Sequence, residues 1–486
     1  MDKKNRLLDK YVLDVNGIKV DIEIIYDDNE PVPLYLVNIT NITESTKIVL
    51  EKIREEFISK LNFDELERTK EDYGDLKERF KKSISDLVDK YFPTSSPRTK
   101  STLINYLLEE NLGLGKIDIL LKDKRLEEVV INNHKEPVQV YHGKFGWLKT
   151  NIRVMTEDRI RHYATMIGRD VNKEITSLNP LMDAHLLTGD RVNATLSPIS
   201  DKGNTITIRK FAEDPWTITK FIEANTISYS AAALIWLAMQ NEMSILISGG
   251  TGSGKTSMLN VVSNFLPPNQ RIVSIEDTRE IELPDQLHWV PMTTRLPNPE
   301  GKGGVSMLDL LVNSLRMRPD RIIVGEIRRE KEAQVLLEAV HTGHSVYATI
   351  HANTAEETIT RLTSPPINLP KKMVSSIQLI VVQNRNRRTG VRRTLQVAEV
   401  TDDGDARVIL QHNAKSNTLE QVSESKRLMS MISLYTGASA EEIKKDLKQK
   451  QAVLKWLVEN KVQDIDDIGK VMTKYYTGQI KLVKEK

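Results

Sequence analysis

Apolar residues recur with two different periods along the chain, and each period predicts a different kind of element. Residues 1 to about 45 alternate apolar and polar positions in short runs such as IKVDIEIIY, a pattern typical of β-strands. From about 46 to 92 the spacing becomes helical and the segment is highly charged. The stretch that follows, FPTSSPRTK, is rich in prolines and hydroxyl residues and is typical of a linker. We therefore predict an N-terminal α/β extension over residues 1–95, a candidate for binding a partner.

A second module is predicted over residues 100–211. LEEVVINN and PVQVYHGKFGWL predict strands, and TEDRIRHYATMIG predicts a helix with Thr156 as its cap. GDRVNATLSPIS and NTITIRKF predict further strands. This mixture predicts an α+β domain. The segment AEDPWT, residues 212–217, contains a proline and is predicted to be the hinge to the next unit.

Strands and helices alternate from 218 to 410. SILIS, RIVSIED, RIIVG and HSVYATIHA predict strands. One intervening helix is predicted to present a single apolar face made of Leu308, Leu311, Val312 and Leu315. Thr354 and Glu357 form a capping-box pattern before another helix. Such alternation predicts an α/β domain with a mainly parallel sheet covered on both faces. The tail, residues 411–486, is predicted to be a helical extension.

Composition narrows the class of protein. The chain has 486 residues, 39% hydrophobic and 28% charged, which is typical of a globular protein of about three domains. Its 69 basic and 67 acidic residues give a net charge of +2, which disfavours a dedicated nucleic-acid-binding protein. The absence of cysteine excludes disulfides and thiolate metal sites. The charged start predicts no signal peptide, and the longest apolar run, AAALIWLAM, is about half the ~20 residues that span a bilayer. We expect an intracellular protein whose membrane contact is peripheral or made through a partner.

The segment GGTGSGKT lies between a predicted strand and a predicted helix, and it matches the pattern Gly-x4-Gly-Lys-Thr. Its glycines allow successive backbone N–H groups to point at phosphate oxygens, and the helix N-terminus favours negative charge at the same place. Lys255 adds a point charge for the β and γ phosphates, and the Thr256 hydroxyl is a candidate Mg²⁺ ligand. The predicted nucleotide-binding residues are Gly249, Gly250, Thr251, Gly252, Ser253, Gly254, Lys255, Thr256 and Ser257.

Two acids follow buried-strand patterns. RIIVG ends one residue before Glu326, a candidate for holding Mg²⁺ beside the phosphate loop. RIVSIED carries Glu276, and we expect its strand to lie next to the strand of the phosphate loop, which would place Glu276 beside the γ-phosphate and favour hydrolysis over simple binding. For Glu326, the alternative is a surface acid that pairs with Arg328 or Arg329. For Glu276, the alternative is an ordinary acid in a turn.

His344 and His351 flank the strand SVYATI. They are candidates for sensing the γ-phosphate by hydrogen bonding, although the residues alone favour a structural role. A zinc site is disfavoured because these histidines and His341 lack a matching set of ligands.

Four motifs occur in an order that resembles the type II/type IV secretion ATPase superfamily. They are GGTGSGKT, SIEDTRE, MRPDRIIVGEIR and TGHSVYATIHANT, and they resemble its Walker A, aspartate box, Walker B and histidine box. The match looks closest to the archaeal branch, which includes homologues of general secretory pathway protein E and the archaellum motor ATPase. The resemblance covers about residues 101 to 410.

The resemblance implies a fold and roles for single residues. It implies a RecA-like P-loop motor domain over 218–410, a PAS-like α+β domain over 100–211 and a helical C-terminal extension. It implies that Glu276 is the catalytic glutamate, that Glu326 is the Walker B acid and that His344 and His351 are the histidine-box pair. DAHLLTGDRVNAT and TITIRKF look like segments of the family's N-terminal domain. The resemblance implies that Arg191 and Arg209, in these segments, reach the nucleotide.

The resemblance also implies an activity and partners. Family members form homo-hexamers that hydrolyse ATP at the cytoplasmic face of a membrane and act on a polytopic membrane platform protein. The implied function is assembly of a type IV pilus-like filament or type II-like secretion, with rotation of an archaellum as an alternative. A nucleic-acid translocating ATPase is a further alternative that the near-neutral charge disfavours. The four-cysteine zinc module of many bacterial relatives is absent, because the chain has no cysteine.

A basic run, NRNRRTGVRR at residues 384–393, belongs to none of these motifs. It is a candidate for contact with anionic lipid or with an acidic loop of the platform protein. The alternative is a β-turn around Gly390 with solvated arginines.

Overall fold

The computed structural model describes residues 6–39, 42, 44–60, 73–171, 173–186, 188–211, 215–295, 297 and 301–479. The chain divides into two compact units, 1–213 and 214–486, and each contains one nine-stranded sheet. Of the predicted hinge at 212–217, the first three residues lie outside the described residues. The division into four domains stays a prediction.

The first unit is built on a mainly antiparallel sheet with the strand order β1-β2-β3-β6-β5-β4-β9-β8-β7. Its strands are β1 (Arg6–Val15), β2 (Ile18–Tyr26), β3 (Leu34–Ile39), β4 (Leu126–Ile131), β5 (Gln139–His142), β6 (Gly146–Thr150), β7 (Leu181–His185), β8 (Arg191–Thr195) and β9 (Thr205–Arg209). Its described helices are α1 (Glu44–Lys60), α2 (Tyr73–Tyr91), α3 (Pro97–Leu112), α4 (Lys116–Lys122) and α5 (Glu157–Asp170).

Two hydrophobic clusters hold the first unit together. Alternate residues of β2, such as Val20 and Ile22, are buried in the same cluster as Val192 of β8, so the N-terminal strands share a core with the later ones. A second cluster joins α1, α2 and α3. The predicted linker at 92–100 is therefore shorter than expected, since α3 begins at Pro97. Proline is tolerated there because the first helical N–H has no partner within the helix.

The second unit contains a sheet with the order β12-β11-β13-β14-β10-β15-β16-β17-β18. Its strands are β10 (Ile245–Gly249), β11 (Arg271–Glu276), β12 (His288–Thr293), β13 (Arg321–Val324), β14 (Ser345–Ile350), β15 (Leu379–Arg385), β16 (Arg392–Val400), β17 (Ala406–Asn413) and β18 (Thr418–Gln421). Its helices are α6 (Ile218–Glu223), α7 (Tyr229–Gln240), α8 (Lys255–Ser263), α9 (Met307–Ser314), α10 (Glu330–His341), α11 (Ala355–Thr363), α12 (Lys371–Val374), α13 (Lys426–Thr436), α14 (Ala440–Glu459) and α15 (Ile465–Tyr476).

The six strands from β12 to β15 in this order run parallel and are covered on both faces, as predicted. Ile245 and Ile247 of β10 pack into one hydrophobic cluster, and Leu246 between them packs into another on the opposite face. Strands buried on both sides read as continuous apolar runs, which is why SILIS and RIIV show no alternation. The antiparallel strands β16 to β18 were not predicted, and the tail becomes helical only at Lys426.

The predicted helix starts are confirmed at two positions, where Thr156 and Thr354 accept hydrogen bonds from N–H groups of the first turn. At the start of α14, Ser439 forms a reciprocal capping box with Glu442. The predicted face of α9 is confirmed for Leu311, which is buried, and for Leu315, which packs against the core. It is wrong for Val312, which is exposed, while Met307 and Ser314 are buried instead. Within the described ranges, each helix is too short or too polar to cross a membrane.

Candidate active site

A glycine-rich turn joins β10 to α8. A Cβ at Gly249 would collide with the carbonyl oxygen of Gln383 and the hydroxyl of Ser253, so only glycine fits. Gly254, directly before α8, has φ 89°, a left-handed conformation that glycine adopts without strain. Ser253 is buried, and its Oγ has no hydrogen-bond partner in the described part of the chain. The turn therefore has the backbone shape and the unsatisfied polar atom expected of a phosphate cradle.

Lys255 begins α8 and points back into this turn. Its side chain is largely buried, and Nζ donates to the carbonyl oxygen of Gly250 at 3.1 Å. Nζ also lies 3.3 Å from Nδ1 of His351, the residue that follows β14. The lysine is thus held where the phosphates of a bound nucleotide would meet both its charge and the N-terminus of α8.

An ionic network extends from Lys255 along the carboxyl edge of the sheet. His351 Nε2 lies 3.0 Å from Oε1 of Glu326, two residues after the end of β13. The other oxygen of Glu326 accepts from Arg328 at 2.7 and 2.9 Å, and Arg328 also donates to Asp277 at 2.6 Å. All four motifs therefore contribute a residue here, because parallel strands bring their carboxyl ends to one edge.

Burial and the nearby Lys255 ammonium lower the pKa of His351, although Glu326 opposes them. A neutral imidazole accepts from Lys255 at one nitrogen and donates to Glu326 at the other, which matches both distances. His351 therefore joins the phosphate-loop cation to the acid of the neighbouring strand.

Glu276 is the last residue of β11 and is only 2% exposed. Burial raises the pKa of its carboxyl to about 7, against hydrogen bonds from the backbone N–H groups of Glu280 and Ile281. A carboxyl with this pKa can accept a proton near neutral pH. Glu276 lies beside the backbone of Gly325, the residue before Glu326. A Cβ added to Gly325 would lie 3.4 Å from Cα and Cγ of Glu276.

The expected position of the Glu276 strand is wrong. β11 does not neighbour β10, because β13 and β14 lie between them. The two strands are thus about 14 Å apart at ~4.8 Å per step. A crossover through one helix does not have to return to the adjacent position, and the sequence offers no signal for which position it takes.

Of the remaining predicted site residues in the second unit, His344 does not join this network. His344 precedes β14 and bonds to Thr342 and to the carbonyl of Ala339, about 23 Å along the strand from His351 at ~3.3 Å per residue. Arg191 and Arg209 lie opposite each other on β8 and β9 of the first unit. Arg191 pairs with Asp183 at 2.6 and 3.0 Å.

The basic run lies beside the glycine turn, which neither interpretation of it had suggested. Residues 386–391 form an exposed turn between β15 and β16, as the solvated-turn alternative held. However, Arg392 Nε donates to the carbonyl oxygen of Gly252 at 3.0 Å, and Arg385 lies next to the same glycine. The run lies there because β15, which contains its first residues, pairs with β10. This pairing joins residues far apart in the chain, and no local sequence pattern predicts it.

Few of the described side chains at this site could act as ligands of a metal ion. In the described ranges there is no group of three or more His, Asp or Glu that would hold a metal by itself. Thr256 and Glu326 instead supply a hydroxyl and a carboxylate. That donor set fits Mg²⁺, which binds through one or two protein oxygens together with waters and nucleotide phosphates.

A parallel sheet that carries a glycine turn, a buried lysine and two acids at one edge defines a P-loop nucleotide-binding protein. The family described as "Type II/IV secretion system protein" matches residues 123–473. The chain belongs to this family. Its mixed α/β fold, with a mainly parallel sheet in the second unit and helices after that sheet, agrees with the expected fold class.

Relatives support the same assignment. Two uncharacterized proteins of Methanocaldococcus jannaschii are 39% and 36% identical over 352 and 308 residues, which are 69% and 63% of this chain. The chain spans about half the length of these relatives, 46% and 55%. The "Type IV secretion system protein PtlH" of Bordetella pertussis is 30% identical over 308 residues, which cover 56% of this chain and 89% of PtlH. The expected family and the similarity to archaeal proteins are thus confirmed.

Proposed function

We propose that the chain is an ATPase that powers assembly of a type IV pilus-like filament, or type II-like secretion, through a polytopic membrane platform protein. The observation that carries the proposal is the contact of Lys255 with His351 and, through it, with Glu326. Three separate strand ends converge there on the glycine turn of a chain that belongs to the secretion family. A nucleotide-binding switch would not need the additional buried acid at Glu276.

Each residue has a proposed role in hydrolysis. The backbone N–H groups of the glycine turn and the Lys255 ammonium bind the triphosphate. Glu276 takes a proton from the attacking water, since its pKa of about 7 allows the transfer near neutral pH. His351 orients the Glu326 carboxylate through its 3.0 Å contact.

Thr256 and Glu326 would hold Mg²⁺, which when bound neutralises charge that develops on the phosphates. Arg328 engages one Glu326 oxygen and also pairs with Asp277, so Asp277 would keep a partner for this arginine if Glu326 held the metal.

The larger assembly is proposed from the family. We propose a homo-hexamer at the cytoplasmic face of the membrane, held there by its platform partner. Arg191 and Arg209 are proposed to approach the γ-phosphate when the two units close on ATP. Arg191→Ala should then reduce turnover much more than ATP affinity, and equal losses in both would contradict this role.

The first test is steady-state ATP hydrolysis by Lys255→Ala. Removing a charged donor from a phosphate site should lower turnover by about 10² to 10³-fold. Lys455→Ala is the matched control, since that lysine has a 68% exposed side chain and only a 3.8 Å surface pair with Glu459. Wild-type turnover in Lys255→Ala would rule out this site.

A second test addresses the partner. Vesicles that carry the candidate platform protein should stimulate hydrolysis, whereas protein-free vesicles and single-stranded DNA should not. Stimulation by single-stranded DNA alone would support a nucleic-acid motor instead.

A further inference from the structure

We propose that the C-terminal helix α15 and Asn260 of α8 position the Glu276 carboxylate for hydrolysis, acting through the segment 279–287 that follows β11. This inference rests on the proposed function, in which Glu276 accepts the proton of the attacking water. It assigns a task to the helical extension and makes Asn260 a positioning residue.

The first step is the contact between Glu276 and the segment. Oε1 of Glu276 accepts from the backbone N–H groups of Glu280 at 2.9 Å and Ile281 at 3.1 Å. Oε2 is buried and has no hydrogen-bond partner among the described residues. Two amides thus fix one oxygen and leave the other to face a further ligand. Any movement of residues 280–281 moves the carboxylate with them.

The second step is what holds the segment. Asn260, which is 4% exposed, accepts from the backbone N–H of Glu282 at 2.9 Å. Asp466, in the first turn of α15, accepts from the backbone N–H of Asp285 at 2.9 Å. The segment has little regular structure of its own, so its shape depends on acceptors supplied by α8 and α15.

The third step is the close packing of α15. A Cβ on Gly469 would lie 2.6 Å from Cβ of Pro284 and would overlap the side chain of Gln286. Ile281 and Leu283 are buried in the same hydrophobic cluster as Ile468 and Met472 of α15. The segment is therefore enclosed between helix α15 and the rest of the second unit. It cannot shift unless α15 is displaced as well.

The same helix is also tied to the end of the phosphate-loop helix. The hydroxyl of Tyr476 donates to the carbonyl of Phe265, two residues beyond α8, and accepts from Trp236 at 2.8 Å. Helix α15 thus contacts the Glu276 segment at its start and the α8 end at its finish. It links the residue that acts on water to the helix that binds phosphate.

The physical consequence is a dependence of turnover on residues that touch no nucleotide. A misplacement of about 1 Å at a reacting group can cost about 100-fold in rate. The charged residues that act on Glu276 are Glu280, which raises its pKa, and Arg279, which lowers it. Both belong to the segment itself, so displacing the segment changes the position and the electrostatic surroundings of the carboxylate together.

The test uses the full-length chain and two kinds of change. Asn260→Ala removes one acceptor, and Gly469→Ala wedges α15 away from Pro284. Each should lower kcat at least tenfold while ATP affinity stays within about twofold. Lys470→Ala, on the same helix with a 65% exposed side chain, is the control and should leave kcat unchanged.

A double-mutant cycle with Glu276→Gln decides whether the effect passes through that carboxylate. In the Glu276→Gln background, Asn260→Ala and Gly469→Ala should cause no further loss. A full tenfold additional loss, or an unchanged kcat in both single variants, would overturn the inference. If Glu276→Gln itself keeps wild-type turnover, the proposed role of Glu276 fails instead, which is a different result.

Asp466 supplies a variant pair for the case in which Gly469→Ala does not fold. Asp466→Ala removes the acceptor, whereas Asp466→Asn keeps an oxygen in its place. Rescue of kcat by Asp466→Asn, with loss in Asp466→Ala, supports the inference. Equal kcat in both variants, at the wild-type level, contradicts it.

Discussion

The two ends of the parallel strands in the second unit both carry charged residues, but they use them differently. At the amino end, Arg321 of β13 is fully buried, and its guanidinium donates to Gln270 at 2.7 Å and to the Tyr347 hydroxyl at 2.6 Å. At the carboxyl end, Glu326 keeps 19% of its side chain exposed and pairs with His351 and Arg328.

The difference shows what separates a structural charge from a functional one. Arg321 donates to two neutral groups and lies 3.9 Å from Glu242, so removing it leaves the buried Tyr347 hydroxyl without this donor. The paired residues at the carboxyl end reach solvent. A phosphate or a metal ion that binds there can therefore take the place of one partner in a pair. We therefore expect the amino end to control stability and the carboxyl end to control turnover.

The largest expected effect is at the amino end. Arg321→Ala should lower the free energy of unfolding by about 3 kcal/mol, since it removes a buried charge from its partners. Urea denaturation measures this loss, and ATP turnover per folded molecule should change little. Lys455→Ala should stay within about 0.5 kcal/mol of wild type. A wild-type midpoint for Arg321→Ala would contradict the assignment of this end to stability.

The two histidines at the ends of β14 sharpen the comparison. His351→Ala should lower turnover by about tenfold, because it removes the group between Lys255 and Glu326. His344→Ala should cause a smaller loss, since its bonds are to Thr342 and Ala339. Steady-state kinetics on both variants make the comparison. A larger loss for His344→Ala would reverse the roles we give to the two ends.

The pH dependence of kcat/KM reports on Glu276. Burial raises its pKa to about 7, so the proton-accepting carboxylate is present above that pH and is lost as the pH falls through it. Between pH 8 and pH 6, kcat/KM should fall about tenfold. Glu276→Gln should lack this limb. A flat wild-type profile over this range would argue against Glu276 as the proton acceptor.

The smallest expected effect concerns the basic run, residues 384–393, which forms the hairpin between β15 and β16. Arg392→Ala should weaken ATP binding by about threefold, as expected for the loss of one exposed hydrogen bond, here to the Gly252 carbonyl. Arg388→Ala, in the exposed turn, is the control. Binding titrations with both variants test this, and equal affinities would show that the hairpin contact does not support the glycine turn.

Local patterns were enough to predict the phosphate loop and most of the buried strands. Gly249 to Thr256 form a motif whose spacing is set by backbone geometry, and the apolar runs before Gly249 and Glu326 indicate strands buried on both faces. The position of β11 within the sheet was not predictable in the same way. Strand order is decided by contacts between residues far apart in the chain, and neither RIVSIED nor its neighbours encode the partner strand.

The sequence by itself determined the class of the protein, because a glycine turn, a lysine and a strand-ending acid are local features with local physical causes. Only the tertiary structure decided which charges meet. It placed Arg392 on the glycine turn, set His351 between Lys255 and Glu326, and set Asn260 and Asp466 against the segment that holds Glu276. Such contacts depend on packing between distant elements, since hydrogen bonds and ion pairs act over a few ångströms in space whatever the separation along the chain.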